Sequence, residues 1–254
     1  MQRRLGVALR LTAKQAAGPL EITKTTGERT MSQIRYLLQL AALAAMLSYA
    51  LPSSAETIID EWQNIKAPPP PQLQAVTLDP KTTALIMTDI IKQTCNNERR
   101  PRCVASIPKI EKLLTAARAS GVTVIYTLFP SRSPATFPNP VISDYIPAVA
   151  PKGDEPVVTS FADKFMLGDK DTGLQKILKD KGITTVVPVG VVAHNGILFT
   201  AVEAAFRGFN VIVPVDGMAG NGPSGYDEQA TAHILTDSIV YKVTLTSLDM
   251  IKFQ

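Results

Sequence analysis

One pattern recurs along the chain and restricts its fold more than any other feature. An amphipathic helical stretch, a glycine and a β-branched apolar run follow one another three times. SIPKIEKLLTAARAS (106–120) precedes Gly121 and VTVIYTL, TGLQKILKDK (172–181) precedes Gly182 and ITTVVPVG, and ILFTAVEAAFR (197–207) precedes Gly208 and FNVIVPVD. Each glycine fits the left-handed position that ends a helix. Each Val/Ile/Thr run is apolar on both faces, as a strand covered on both sides must be. ALIMTDI (84–90) reads as the first strand and SIVYKVTLT (238–246) as the last, after a helix over YDEQATAHILT (226–236). Strands alternating with helices of this length predict right-handed βαβ units. The expected fold is α/β, a three-layer Rossmann-like arrangement with a mainly parallel sheet of about six strands flanked by helices.

With 45% hydrophobic residues in 254, the chain has enough apolar material for a sizeable core and is not disordered. Its net charge of +4 is unevenly placed. Residues 1–55 hold seven Lys or Arg against two Asp or Glu, which leaves 19 basic and 20 acidic residues from position 56 onward. No basic stripe remains to follow a phosphate backbone, so no nucleic-acid partner is expected. Two histidines and two cysteines, without ligand-like spacing, predict neither a catalytic zinc nor another metal site, and no cofactor is expected.

From Met31 the chain runs MSQIRYLLQLAALAAMLSYALPSSAET. Arg35, the largely apolar 15-residue stretch Leu37–Leu51 and the small residues before Glu56 have the layout of a secretory signal peptide cleaved after Ala55. The run is short for a membrane span of about 20 residues, although an uncleaved anchor is the alternative. Residues 1–30 fit no part of that signal and read as a non-native upstream extension. Residues 31–55 are then the signal peptide, 56–80 a Pro-rich arm containing Pro68–Pro71, and 81–254 the folded domain. The expected location is periplasmic or secreted, with no stable membrane insertion after cleavage. An oxidising compartment permits a disulfide between Cys95 and Cys103, which have seven residues between them. A reactive thiol at Cys95 is the rival.

In an open α/β sheet, ligands sit beyond the carboxyl ends of the strands. Asp89 closes the first strand there, where partial desolvation would suit an acid or base, and where a turn cap is the plainer alternative. Lys164 follows VVTSFAD and could pair with Asp89, or could be a solvated surface lysine. GVVAHNGILFTA (190–201) turns from strand to helix near Gly196, and its backbone amides offer an anion or oxyanion site. His194 in that turn is either a substrate contact or a hydrogen-bonded structural imidazole. Residues 128–156 lack the helix–strand rhythm and read as a long loop or lid near the site. The chain has no GxSxG, GxxxxGK[ST] or post-strand GxGxxG motif, which argues against α/β-hydrolases, P-loop NTPases and dinucleotide enzymes.

Taken in order, LIMTD89, EPVVTSFADK164F, GVVAHNG with T-A, and RGFNVIVPVDGMAG resemble the isochorismatase-like hydrolase family over roughly Thr82 to Leu245. The resemblance implies an Asp–Lys–Cys triad in most members, with Gly196 here at the Cys position. GVVAHNG is similar to the branch that carries glycine there and uses no nucleophile. For that branch the resemblance implies Asp89 as a general acid protonating a vinyl ether, assisted by Lys164 and the turn at Gly196. Ala193, His194 and Asn195 in the same turn are expected to contact a small-molecule substrate, and the family and the Pro-rich arm together predict a homo-oligomer. Two alternatives stay open: a catalytically silent binding protein on the same scaffold, and amidase chemistry with Cys95 as nucleophile.

Overall fold

The computed structural model describes residues 57–236 and 242–254, so the expected extension and signal peptide lie outside the described residues, as does the start of the last expected strand. The chain divides into two units, Met1–Lys66 and Ala67–Gln254. The described part of the first is a single helical turn, Ile58–Glu61. Its Asp60 carboxylate accepts hydrogen bonds from the Thr57 amide at 2.7 Å and the Thr57 hydroxyl at 2.8 Å, satisfying donors at the helix start.

The second unit is the α/β domain. Its strands are β1 (Val76–Leu78), β2 (Thr83–Thr88), β3 (Thr123–Leu128), β4 (Val157–Thr159), β5 (Met166–Leu167), β6 (Lys170–Asp171), β7 (Thr185–Val191), β8 (Asn210–Pro214), β9 (Met218–Ala219), β10 (Val243–Thr246) and β11 (Ile251–Phe253). Its helices are α1 (Pro101–Ala119), α2 (Leu174–Asp180), α3 (Leu198–Phe206) and α4 (Tyr226–Leu235). The central sheet has seven strands in the order β10-β8-β7-β2-β3-β4, with β9 also pairing with β7, and every pairing in it is parallel. The expected parallel sheet is present with one strand more than the sequence suggested.

Alternation along the strands divides the core into two layers. Leu85 and Met87 of β2 pack on one face of the sheet with Ile110, Leu113 and Leu114 of α1. Ala84 and Ile86 pack on the other face with Leu174, Leu178, Ala201 and Ala204 of α2 and α3. Strand side chains point to opposite faces with period 2, so a run that is apolar throughout feeds both layers. Each fully buried Leu, Ile or Val contributes roughly 1.5–3 kcal/mol relative to exposure.

Some boundaries differ from expectation. α1 starts at Pro101, five residues before the expected start, and keeps Pro108 inside it. Proline suits a first helical position, so Pro101 is the true opening. The short strands β1, β4, β5, β6, β9 and β11 were not foreseen. β1 pairs in parallel with β11 near the chain's end, an association between distant segments that leaves no local periodicity. β1 lies within the unit Ala67–Gln254. The residues before it are held by β10 and α4: the Gln74 amide donates to the Leu245 carbonyl of β10 at 2.9 Å, and Gln229 Nε2 of α4 donates to the Pro68 carbonyl at 3.1 Å.

Candidate active site

The carboxyl ends of β2, β3 and β7 meet at one level, since Thr88 is in register with both Thr127 and Gly190. That convergence places the site. Directly after β2 the backbone of Asp89 turns into the left-handed region at φ 52°. Its carbonyl accepts a hydrogen bond from the Thr94 hydroxyl at 2.6 Å, which holds the turn. Beside it β7 passes very close. A Cβ on Gly190, at φ 125°, would lie 2.1 Å from the Thr88 carbonyl oxygen, so only glycine fits.

The Asp89 side chain is buried, with one oxygen for each of two donors. Lys164 Nζ donates to Oδ2 at 2.6 Å, and the Thr127 hydroxyl donates to Oδ1 at 2.7 Å. Lys164 is fully buried; its Nζ also donates to the Phe161 carbonyl at 2.6 Å, and its backbone amide donates to Thr200 Oγ1 at 3.3 Å. It is not a solvated surface lysine. Burial pushes the Asp89 carboxyl above its ordinary value, with the Lys164 charge and the bonds from Lys164 and Thr127 opposing it. The neighbouring Tyr145 hydroxyl donates to the Thr127 carbonyl at 2.7 Å, and burial raises its pKa as well.

Asp89 opens onto a cavity of about 410 Å³. Gly196 and Asn195 line it together with Val191 and Val192, whose connecting peptide is cis. The residues Ala193–Ile197 form a π-helical turn that leads into α3. A Cβ on Gly196 would lie 2.9 Å from the Val191 carbonyl oxygen and 3.2 Å from the Thr88 methyl group. Of the other residues anticipated in the turn, Ala193 is buried in the core layer beneath α3. His194 is partly exposed, and its Nδ1 lies 2.9 Å from Asp227 Oδ2. Neither lines the cavity. Asp89, Lys164, Asn195 and Gly196 are thus brought together, while Ala193 and His194 face elsewhere.

Cys95 and Cys103 are joined in a disulfide, which closes the loop between Asp89 and α1 and leaves no free thiol among the described residues. This removes Cys95 as a nucleophile. Among the described residues no group of three or more His, Cys, Asp or Glu could hold a metal ion. None of their helices is long and apolar enough to cross a membrane.

The stretch 128–156, expected as a loop near the site, does supply Phe129, Arg132 and Phe137 to the cavity wall, although the sequence singled out none of them. Thr127 was legible in principle, because it sits where β3 ends beside β2. Phe129 stacks on Phe137 with ring centroids 6.0 Å apart, and Arg132 lies 5.1 Å over the Phe161 ring. All four line the cavity, as do Arg99 and Arg100 of the disulfide loop. Their signal was the run of arginines in CNNERRPRC, which charge counting over the whole domain averages away.

The same fold recurs in known proteins. The isochorismatase domain family matches residues 83–241. The secreted isochorismatase effector Isc1 of Verticillium dahliae is 32% identical over 130 residues, a match covering 48% of this chain and 64% of that protein. A cysteine hydrolase from Pseudomonas syringae pv. phaseolicola superposes with a TM-score of 0.59 at 22% identity, over 70% of this chain and 94% of that one. N-carbamoylsarcosine amidase from Thermoplasma acidophilum does so with a TM-score of 0.54 at 23% identity, over 66% and 95%. These two structures share the fold, while the domain match fixes the lineage: the chain belongs to the isochorismatase family of hydrolases.

Proposed function

We propose that the protein is an exported hydrolase that cleaves a small vinyl ether by acid catalysis, without a covalent enzyme intermediate. The observation that carries this reading is the buried Asp89–Lys164 pair on the cavity wall with Gly196 beside it and both cysteines locked in a disulfide. A carboxyl group whose burial favours its protonated form can donate a proton near neutral pH.

In the proposed reaction the Asp89 carboxyl protonates the terminal CH₂ carbon of the vinyl ether. The electron pair of the double bond forms the new C–H bond, and the adjacent carbon becomes an oxocarbenium ion. Water adds to that carbon and surrenders a proton, which returns to Asp89. The hemiketal then collapses: its hydroxyl proton passes to the alkoxy oxygen as that C–O bond breaks, the oxygen lone pair forms the carbonyl, and ketone and alcohol are released. The net change is vinyl ether plus water giving ketone plus alcohol, and it requires no nucleophile on the protein. Lys164 holds the Asp89 carboxylate once the proton has left, and Thr127 fixes the carboxyl orientation. The turn at Asn195 and Gly196 borders the space where substrate would lie.

Export is supported by the signal-like segment at 31–55, by the disulfide and by the relative named as a secreted effector. The test is to offer isochorismate and a panel of simple amides to the purified protein and to its D89N variant. Pyruvate from isochorismate with the wild type alone supports the proposal. Ammonia from an amide would replace it with amidase chemistry. Ligand binding without turnover would favour a silent binding protein.

A further inference from the structure

The six arginines among the described residues fall into two sets. Arg102, Arg118 and Arg207 each have a carboxylate partner, Glu228 at 3.3 Å, Glu155 at 2.8 Å and Glu203 at 2.7 Å. Among the described residues Arg99, Arg100 and Arg132 have no carboxylate within 4.0 Å, and all three line the cavity that Asp89 opens onto.

Arg100 is the most informative. It is only 5% exposed, and a guanidinium stays protonated even when buried. Nη1 donates to the Thr94 carbonyl at 2.9 Å and Nη2 to Asn221 Oδ1 at 2.8 Å, while the buried Nε has no hydrogen-bond partner. These neutral acceptors orient the group without cancelling its charge. Asp227 acts on Arg100 only from beyond direct contact, and Arg99 beside it opposes the charge; burying a cation with no carboxylate in direct contact is costly unless something anionic joins it. The lining supplies one carboxylate, Asp89, and Lys164 already holds it. Arg99 and Arg100 both lie between the disulfide-bonded Cys95 and Cys103, so the bridge closes the very loop that presents them. Arg132 comes from a separate segment, over the Phe161 ring.

We infer that Arg99 and Arg100 form an anion subsite carried on the disulfide-closed loop, and that with Arg132 they select a ligand bearing carboxylates on a compact, largely apolar frame. The aromatic wall of Phe129, Phe137 and Phe161 suits a flat apolar body, and guanidinium forks suit carboxylates. This inference rests on the reading that the cavity is the substrate site, but it concerns binding and can be tested without turnover.

The experiment is calorimetric titration of the intact protein with isophthalate, a flat ring with two carboxylates, against neutral isophthalamide of the same shape. Isophthalate should bind saturably and more weakly as salt rises, and isophthalamide should bind at least tenfold less well. R99Q and R132Q alter residues on exposed stretches and should each raise the isophthalate Kd about ten- to hundredfold, the range for losing a charge-assisted hydrogen bond. R100K keeps the charge but loses the fork and should fall in the same range. R102Q removes a paired arginine outside the cavity and should leave the Kd unchanged. Equal binding of diacid and diamide, no saturable isophthalate binding, or an R102Q effect as large as that of R99Q overturns the inference. Arginine-dependent isophthalate binding by a protein that hydrolyses nothing would sink the catalytic proposal and leave this subsite standing.

Discussion

Replacing Lys164 by methionine keeps most of the side-chain volume and removes the charge from a fully buried position. The lost attraction is large. At 2.6 Å and an effective dielectric of about 20, a unit pair interacts by roughly 6 kcal/mol before desolvation is subtracted. Measured costs of leaving one buried partner alone run about 3–5 kcal/mol. Asp89, however, can escape the penalty by taking up a proton. Lys164 lowers the Asp89 pKa and burial raises it, so K164M moves that pKa further up. An acid whose folded pKa lies above its unfolded value of about 3.9 makes the folded state hold the extra proton between the two. Stability therefore falls as pH rises through that window, by up to about 1.4 kcal/mol per unit, and K164M widens the window. Urea denaturation of oxidised wild type and K164M at pH 5 and pH 8 should give a difference of about 1–2 kcal/mol at the lower pH and about 3–4 at the higher. The D89N/K164M double variant should cost less than the two single variants summed, because neither charge is then stranded. A pH-independent difference, or strict additivity, would mean that Asp89 does not take up a proton when Lys164 is lost.

Gly196→Ala brings a Cβ to 2.9 Å from a backbone oxygen and should destabilise by about 1–3 kcal/mol, read from the urea midpoint; an unchanged midpoint would show that the turn relaxes freely. Gly190→Ala, with its 2.1 Å approach, should leave little soluble folded protein on expression. Replacing both cysteines by serine opens a short loop and should cost about 2–3 kcal/mol on the chain-entropy account, again measured in urea. In the pH profile of isochorismate turnover, activity should decline as pH rises through the Asp89 pKa, which burial sets above the ordinary carboxylate value. The Thr127 hydroxyl bond favours the carboxylate, so T127V should move that decline to higher pH; a decline that stays put would exclude Thr127 from tuning Asp89.

Much of this was legible in the sequence because it rests on local rules. The glycine-punctuated repeats announced buried strands and covering helices, and Asp89 stood out because a carboxylate ends an apolar run. Lys164 is harder. Nothing local separates it from a solvated lysine, and only the folding of residues 157–165 beside β2 and β3 buries it. The cavity wall was least legible. Phe129, Phe137 and Arg132 lie in a stretch with little regular structure, and their meeting depends on tertiary packing. His194 misled for a related reason. It shares a turn with Gly196, yet the π-helical winding leaves it toward Asp227 while Asn195 and Gly196 line the cavity. Sequence adjacency gives proximity, whereas the winding of the turn decides which face each residue takes.

Turnover of isochorismate in D₂O follows the proposed proton transfer from Asp89 to carbon itself. Each pyruvate should be released with one deuterium on its methyl group, trapped by immediate reduction and counted by mass spectrometry, and D89N should form none. Pyruvate without methyl deuterium, or full turnover by D89N, would contradict it.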